Sequence, residues 1–544
     1  MISLFSHTFQ RNNHLTKVLV CSEFSELGSG YAVYTKQLIK GLYEAGIEVA
    51  ELASFCRPDD GRIANCPWKV YPVQPNANDD EGNKVYNSHP HNAFGKYMFE
   101  DVLLHWKPSH IINPRDVWNF VYEFTSPLRP FYSHLVMPAI DSDPQNKSWL
   151  ELYSRADGIV TYCDWATKLL QRCGLTNLYG VASPIPSTNF QPREDKAKLK
   201  ESIGLGKIKV IGNVMRNQPR KMFAQLFRTF RRFLDSNNRN DIFLYCHTSY
   251  PDTWELDELL LEHDVGHKVL FTYMCHTCGN VETSFYKGSC SICHNCKNKN
   301  LRMPNAAFPI PEHILGQIYN LFDVYIQYAH LEGYGIPLAE AISSGVHCIC
   351  PQYSSMETFI DKANATPIKI KDYHIEPETG RRFCIPDDDD TILQLNKFFN
   401  LSDEEQESKG KLARLMYGLR DPRDNIEVWI NAIRNTKPRL SWNTPKRNYF
   451  VPQDFPRNLP SAHFARWLIL NVLQDQTYVG SYMEARLVRD LENGYALVGH
   501  DNEYYYEAMG ISNQRFQPFN QEIAFQHFRS LLQKQIVWEN KRCP

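Results

Sequence analysis

The sequence predicts an α/β protein built as two Rossmann-like halves facing across a cleft. Three observations predict it. Apolar runs of strand length alternate with segments of helical period. The alternation comes in two series, parted by a polar, proline-bearing stretch near residue 200. And the chain has 544 residues, more than one hydrophobic core supports.

The first series opens with LTKVLVCSEF (15–24), a buried parallel strand. The Gly-rich turn SELGSGY follows, then AVYTKQLIKGLYEAG, with apolar residues at helical spacing and Gly46 as a stop signal. IEVAEL resumes as a strand, which completes the β-α-β unit that opens a doubly wound fold. SHLVMPAI and ADGIVTYC read as further strands. DWATKLLQRCG reads as a helix with Asp164 near its start and Gly174 at its end. SPIPSTNFQPREDKAKLKESIGLGK breaks the rhythm and places a domain boundary near residue 200.

The second series runs strand KVIGNV, helix MFAQLFRTFRRFLD, strand IFLYCHT and strand HKVLFTYM. A cysteine-rich insert (275–296) interrupts it. Helix PEHILGQIYNLF, strand DVYIQYA and strand VHCICP complete it. The expected division is 1–200 and 201–400 for the two halves, 272–306 for the insert, and 401–544 for a mixed, aromatic-rich C-terminal extension packing back on the core.

Composition narrows the class. The hydrophobic fraction of 43% and charged fraction of 22% are those of a soluble globular protein. A net charge of −2 makes the whole chain no magnet for polyanions, so any nucleic-acid contact needs a local basic patch. The start, MISLFSHTFQRNNHLTK, lacks the apolar core of a signal peptide, and FARWLILNVL is too short to span a bilayer. The 15 cysteines lie mostly scattered in apolar runs, as buried thiols of a reducing compartment do. An intracellular protein is expected, of an oligomeric state the sequence leaves open.

The residues that carry chemistry centre on LEGYGIPLAEAISSGVHCIC (331–350). Glycines at 333 and 335 let the backbone approach a ligand without a Cβ in the way. Pro337 suits the first turn of a helix, and a helix N-terminus offers free N–H groups and a positive dipole to a diphosphate. Glu332 at the strand end and Glu340 one turn into the helix are placed to accept hydrogen bonds from sugar hydroxyls. The plainer alternative is a capped helix with two solvated glutamates. The whole string Glu–Gly–aromatic–Gly–X–Pro–X–X–Glu favours the functional one.

That string resembles the E-x7-E motif of retaining glycosyltransferases with the GT-B fold. The resemblance implies that Glu332 lies by the donor sugar. It implies that the backbone of Gly333, Tyr334, Gly335 and Ile336 serves the donor, and that Glu340 holds the ribose hydroxyls of a nucleotide. GNVMRNQPRKMF resembles the same family's strand-to-helix turn, with Arg216 and, five positions on, Lys221 as its cations. Two cations there clamp a diphosphate and stabilise its charge as the sugar departs; a solvated basic turn is the bland alternative. Met215 stands where the family usually has glycine. SELGSGY resembles the family's N-terminal Gly-rich loop and makes Gly28, Ser29 and Gly30 candidates beside the donor phosphates. VMPAIDSDP occupies the place of a segment near the donor sugar, with Asp141 as its best match; its role in donor, acceptor or loop positioning stays open. The D-x-D at 141–143 is also a metal-binding string of the other large glycosyltransferase fold. Arg216 and Lys221 already supply the positive charge, so no catalytic metal is expected.

The insert CHTCGNVETSFYKGSCSICHNC offers Cys275, Cys278, Cys290, Cys293 and Cys296, five thiols for four places, with His276 and His294 beside them. C-x2-C knuckles a dozen or so residues apart suit tetrahedral zinc. Four thiolates leave no open position, so the zinc is structural. The pairing Cys275, Cys278, Cys293 and Cys296 resembles a ribbon inserted at this place in related phage enzymes; Cys290 with Cys293 is the rival second pair. LFDVYIQYAHLEGYGIPLAEA, PQYSSMETFI, SYMEARLVRDLENGY and VWENKR resemble glycosyltransferases encoded by tailed bacteriophages. That likeness implies transfer of a sugar such as arabinose or glucose, from a UDP-sugar, to a hydroxylated or hydroxymethylated pyrimidine in phage DNA within the infected cell's cytoplasm. The basic, aromatic stretch KPRLSWNTPKRNYF is a second place for nucleic acid, or only a solvated connector. A polysaccharide or protein acceptor, or a binding module without turnover, are the competing readings; the intact Arg216, Lys221, Glu332 and Glu340 argue against the last.

Overall fold

The computed structural model describes residues 16–237, 239–418, 421–444, 454, 457 and 521–542. Its first elements are β1 (Lys17–Glu23), α1 (Gly30–Glu44), β2 (Glu48–Ser54), β3 (Lys69–Pro72), α2 (Asp80–Asn87) and α3 (Phe99–Trp106). Then come β4 (His110–Asn113), α4 (Val121–Thr125), β5 (Ser133–Val136), α5 (Lys147–Arg155), β6 (Gly158–Thr161), α6 (Asp164–Arg172) and β7 (Leu178–Val181). These seven strands form one sheet in the order β3-β2-β1-β4-β5-β6-β7, parallel throughout. The central five residues of β1 are buried, as a parallel strand covered by helices on both faces must be. Ser29 caps α1 by accepting from the Ala32 N–H at 3.2 Å, and Ala32, Leu38, Ile39 and Leu42 turn inward at helical spacing.

The chain then forms α7 (Lys196–Ser202), β8 (Lys209–Val214), α8 (Phe223–Asp235), β9 (Ile242–His247), α9 (Leu256–Glu262) and β10 (Val269–Cys275). The short β11 (Val281–Ser284) and β12 (Leu301–Arg302) pair antiparallel with β10. After them come α10 (Glu312–Tyr319), β13 (Val324–Ile326), α11 (Ile336–Ser343), β14 (His347–Pro351), α12 (Glu357–Ala363) and β15 (Thr366–Ile368). The second sheet runs β11-β10-β9-β8-β13-β14-β15, with a parallel body centred on β8. A hairpin of β16 (Ile370–Ile375) and β17 (Arg382–Pro386) follows, then α13 (Asp388–Phe399), α14 (Asp403–Tyr417), α15 (Pro422–Asn435) and α16 (Gln521–Arg542).

Helix α15 returns to the first sheet and packs on α1 and β7. Its Trp429 indole N–H donates to the Tyr34 hydroxyl at 2.8 Å, and a Cβ on Gly41 of α1 would lie 2.3 Å from Ile426. No described helix is long and apolar enough to cross a membrane. The stretch SYMEARLVRDLENGY and residues 445–450 of the basic, aromatic stretch lie outside the described residues. Trp442, within the described part of that stretch, is a packing residue. It stacks on Phe131 at 4.9 Å and donates to the Pro108 carbonyl at 2.7 Å.

Candidate functional site

Both sheets have a switch point where strand order reverses: between β1 and β4 in the first, and between β8 and β13 in the second. Ligands of open α/β sheets bind just beyond the carboxyl ends of the strands at such points. Four loops leave those ends: 24–29 with Gly28 and Ser29, 114–120, 215–222 with Arg216 and Lys221, and 327–335 with Glu332.

Glu332 is the hub. Its carboxylate accepts from Lys221 Nζ, from Arg220 at 3.1 Å and from the Gln327 side-chain amide. Its backbone is held on both sides, the N–H donating to Ser354 Oγ at 3.1 Å and the carbonyl accepting from Ser355 Oγ at 2.7 Å. Burial alone would raise this carboxyl, but Lys221 and Arg220 outweigh it and hold it down at about 2. Burial also pushes the Lys221 ammonium down, to about 8, helped by the neighbouring Arg220 and against the pull of Glu332. Arg220 was not singled out in the sequence. Arg216, which was, sits more exposed in the same turn and pairs with Asp252 at 3.3 Å.

Gly335 caps α11 with a left-handed φ of +99°, which glycine adopts without penalty, and Pro337 lies in the first turn. Glu340, on the buried face of α11, accepts a hydrogen bond from the Tyr319 hydroxyl at 2.7 Å. Burial raises its carboxyl to about 8. The Ile336 side chain reaches the other half: a Cβ on Gly30 would lie 3.6 Å from its Cδ1. Gly333 makes room for a neighbouring loop, since a Cβ there would fall 2.8 Å from Ala139. Tyr334 faces inward and shares its hydroxyl with Tyr417 at 2.6 Å.

From the first half, Ser29 donates its hydroxyl to Glu23, and Gly28 donates its N–H to the Ala306 carbonyl at 2.8 Å. Asp141 faces the cleft and is met by Arg381, from the turn of the β16–β17 hairpin, at 3.2 Å. Burial raises the Asp141 carboxyl; Arg381 and Arg220 lower it, and Glu332 and Glu376 raise it further. Asp143 diverges to Arg172 at 2.8 Å, so the two carboxylates of the D-x-D string do not face one centre. Asp116, also not singled out in the sequence, lies in the loop after β4; burial, with Asp141 nearby, raises its carboxyl to about 7. Its only signal was position after a strand, and β4 is four residues long.

The insert brings Cys275, Cys278, Cys293 and Cys296 together, all sulfurs within 4.8 Å of one another. Cys275 and Cys296 lie 3.5 Å apart, Cys278 and Cys293 3.7 Å. Zn–S bonds of about 2.3 Å in a tetrahedron put sulfurs roughly 3.8 Å apart, so the four thiols fit zinc. Side-chain amides of Asn280, Asn295 and Asn298 point at these sulfurs, at 3.9, 3.7 and 3.5 Å, as donors to thiolates do. Cys290 stays outside, near the Lys299 carbonyl, and His294 pairs with Glu282.

No protein-family model matches the chain, and no curated protein matches it by sequence. Solved structures do resemble it. Sucrose-phosphate synthase from Thermosynechococcus elongatus superposes with a TM-score of 0.51 at 13% identity, over 77% of this chain and 97% of that one. HepE of Anabaena, in complex with UDP and glucose, gives 0.52 at 11% identity, over 77% and 100%. A trehalose-6-phosphate protein from E. coli, bound with UDP-2-fluoro glucose, gives 0.51 at 12% identity, over 78% and 100%. At such identities the likeness is one of fold: this chain has the GT-B glycosyltransferase fold, with a four-cysteine insert in its second sheet.

Proposed function

We propose that this chain is a glycosyltransferase that moves a sugar from a nucleoside-diphosphate sugar, of the UDP-sugar class, to a hydroxyl acceptor with retention of anomeric configuration. The observation that carries the reading is the buried Lys221–Glu332–Arg220 cluster at the switch point of the second sheet. Two cations sharing one carboxylate are poised to exchange it for a diphosphate, a stronger anion with more acceptor oxygens. Arg216 adds a third charge on the solvent side. The Gly333–Ile336 backbone at the start of α11 takes the donor, Glu332 then accepts from a sugar hydroxyl, and Glu340 accepts from the ribose hydroxyls. Gly28, Ser29 and Gly30 border the phosphates from the other half, while Asp141 and Asp116 stand on the acceptor side. In the reaction the acceptor oxygen bonds to the anomeric carbon from the face the donor oxygen leaves. The C–O bond to the phosphate breaks, and the departing phosphate takes the acceptor's proton. Lys221, Arg220 and Arg216 stabilise the charge that builds on it.

For the acceptor we favour DNA carrying a hydroxylated or hydroxymethylated pyrimidine. The motifs that resemble those of phage enzymes favour this, as do Lys297, Lys299 and Arg302, exposed cations on the insert that suit a phosphate backbone. The test is mass spectrometry of nucleosides after incubating modified DNA with UDP-sugars, comparing wild type with Glu332→Ala and Arg216→Ala. A hexose or pentose added to the pyrimidine by wild type alone is the expected result. Donor turnover on a polysaccharide or protein, with none on DNA, would replace the acceptor; binding without turnover on any acceptor would overturn the enzyme reading.

A further inference from the structure

The four-cysteine insert sits at the far edge of the second sheet, and the segment that leaves it does not stay there. After β12, whose Leu301 pairs with Cys275, the chain crosses to the first half as a strap over residues 305–309. Three contacts fasten the strap to the Gly28 loop. Gly28 donates its N–H to the Ala306 carbonyl at 2.8 Å. Its bare Cα lies so close to Pro309 that a Cβ would fall 2.6 Å from the ring. Arg62 bridges the two segments, donating to the Glu26 carbonyl at 3.2 Å and the Ala307 carbonyl at 3.3 Å. Within the strap, the Asn305 side chain accepts from the Ala307 and Phe308 N–H groups at 2.9 and 3.0 Å. Between the Ala307 and Pro309 contacts, Phe308 stacks on His276, the residue inside the Cys275–Cys278 knuckle, with ring centroids 4.7 Å apart. Phe308 is 55% exposed, and His276 is the ring it stacks on among the described residues.

We propose that the four-cysteine centre is a positioning device for the donor site: its knuckle seats Phe308, and the strap so held sets the Gly28–Gly30 turn against the cleft. The proposal rests on the donor reading above. It gives the metal a task besides folding the insert, because nucleotide affinity and metal affinity then share one coupled element, and coupling free energies are reciprocal.

The full-length, zinc-loaded chain is titrated with UDP by calorimetry, as wild type, Phe308→Ala and Phe308→Tyr. Zinc content comes from mass spectrometry, fold from thermal melting, and exposure of residues 25–31 from hydrogen exchange. Phe308→Ala should keep its zinc and its melt, lose about fivefold or more in UDP affinity, and exchange faster at 25–31; Phe308→Tyr should restore both. Reciprocally, saturating UDP should tighten zinc against a competing chelator by the same factor in wild type and by none in Phe308→Ala. Unchanged UDP affinity in a zinc-loaded Phe308→Ala, or zinc affinity indifferent to UDP, overturns the proposal. If Phe308→Ala sheds its zinc, Arg62→Met removes the bridge between the Glu26 and Ala307 carbonyls, outside the donor residues, and is read the same way. If wild type binds no UDP, the donor reading fails, and hydrogen exchange at 25–31 decides the strap alone: faster in Phe308→Ala supports it, unchanged overturns it.

Discussion

Glu332 and Glu340 belong to one helix-start motif and hold opposite protonation states. Glu332 is ionised because two cations overcome its burial, whereas burial, with the Glu312 charge beside it, outweighs the Tyr319 hydrogen bond and favours the protonated form of Glu340. The sign of each follows. Glu332, with its folded pKa depressed to about 2, contributes stability that is present above its unfolded value of about 4.5 and is lost as pH falls toward 2. Glu340, with its folded pKa raised to about 8, contributes stability that is whole below about 4.5 and is lost as pH rises through 8. We therefore expect urea midpoints of wild type to decline from pH 5 to 8, and Glu340→Gln to flatten that decline; an identical slope in the variant would refute the assignment. Lys221→Met leaves a buried carboxylate with one cation fewer and should cost about 3–5 kcal/mol. Glu332→Gln in the same background should recover part of that loss. Strict additivity in a double-mutant cycle at pH 7 would mean the pair is not coupled.

At the scale of elements, the site hangs on short helices whose seats need glycine. Helix α14 crosses the end of α11 so closely that a Cβ on Gly410 would lie 2.0 Å from the Gly345 carbonyl oxygen. Gly410→Ala must lift α14 off that turn. We expect a lower melting temperature and weaker UDP binding together, and a variant that melts as wild type does would show that the seat yields. The donor motif was legible because it is contiguous: glycine, proline and both glutamates fall on one turn and one helix, where sequence spacing is spatial spacing. Arg220 was not legible. It neighbours Lys221 in a 3-10 turn from Pro219 to Lys221, and only the fold shows that both adjacent cations turn toward the one carboxylate. Asp116 follows a strand of four residues and Arg381 arrives from a hairpin about 240 residues beyond Asp141, so neither has a local pattern to read. Strands β3, β4 and β7 were missed for a related reason: four residues each, too few to show a period of two.

Across the whole molecule, the halves are tied by side-chain contacts, one pair of which belongs to the site. Arg381 reaches Asp141 at 3.2 Å, Asn146 donates to the Thr379 carbonyl at 3.0 Å, and Lys362 pairs with Asp164. The Arg381 guanidinium lies over Trp118, Trp149 and Phe383 at 5.7, 5.9 and 5.2 Å, which fixes its direction. Burial raises Asp141, and Arg381 is the largest influence against it. Arg381→Ala should therefore move the acid limb of the turnover profile to higher pH, and Arg381→Lys should move it less. A limb that stays in place would separate Asp141 from the titration.

Helix α15 has a further meaning for how the chain is made. The face it covers, around Tyr34, Gly41 and β7, belongs to the first sheet, yet α15 begins about 240 residues after β7 ends. At synthesis rates of roughly 5–20 residues per second, that face leaves the ribosome roughly 12–50 seconds before its cover. During that interval an apolar groove on a nascent first half stands open. A messenger truncated before codon 421 should leave a product that is held by chaperones or aggregates, and adding the α15 peptide in trans should rescue it.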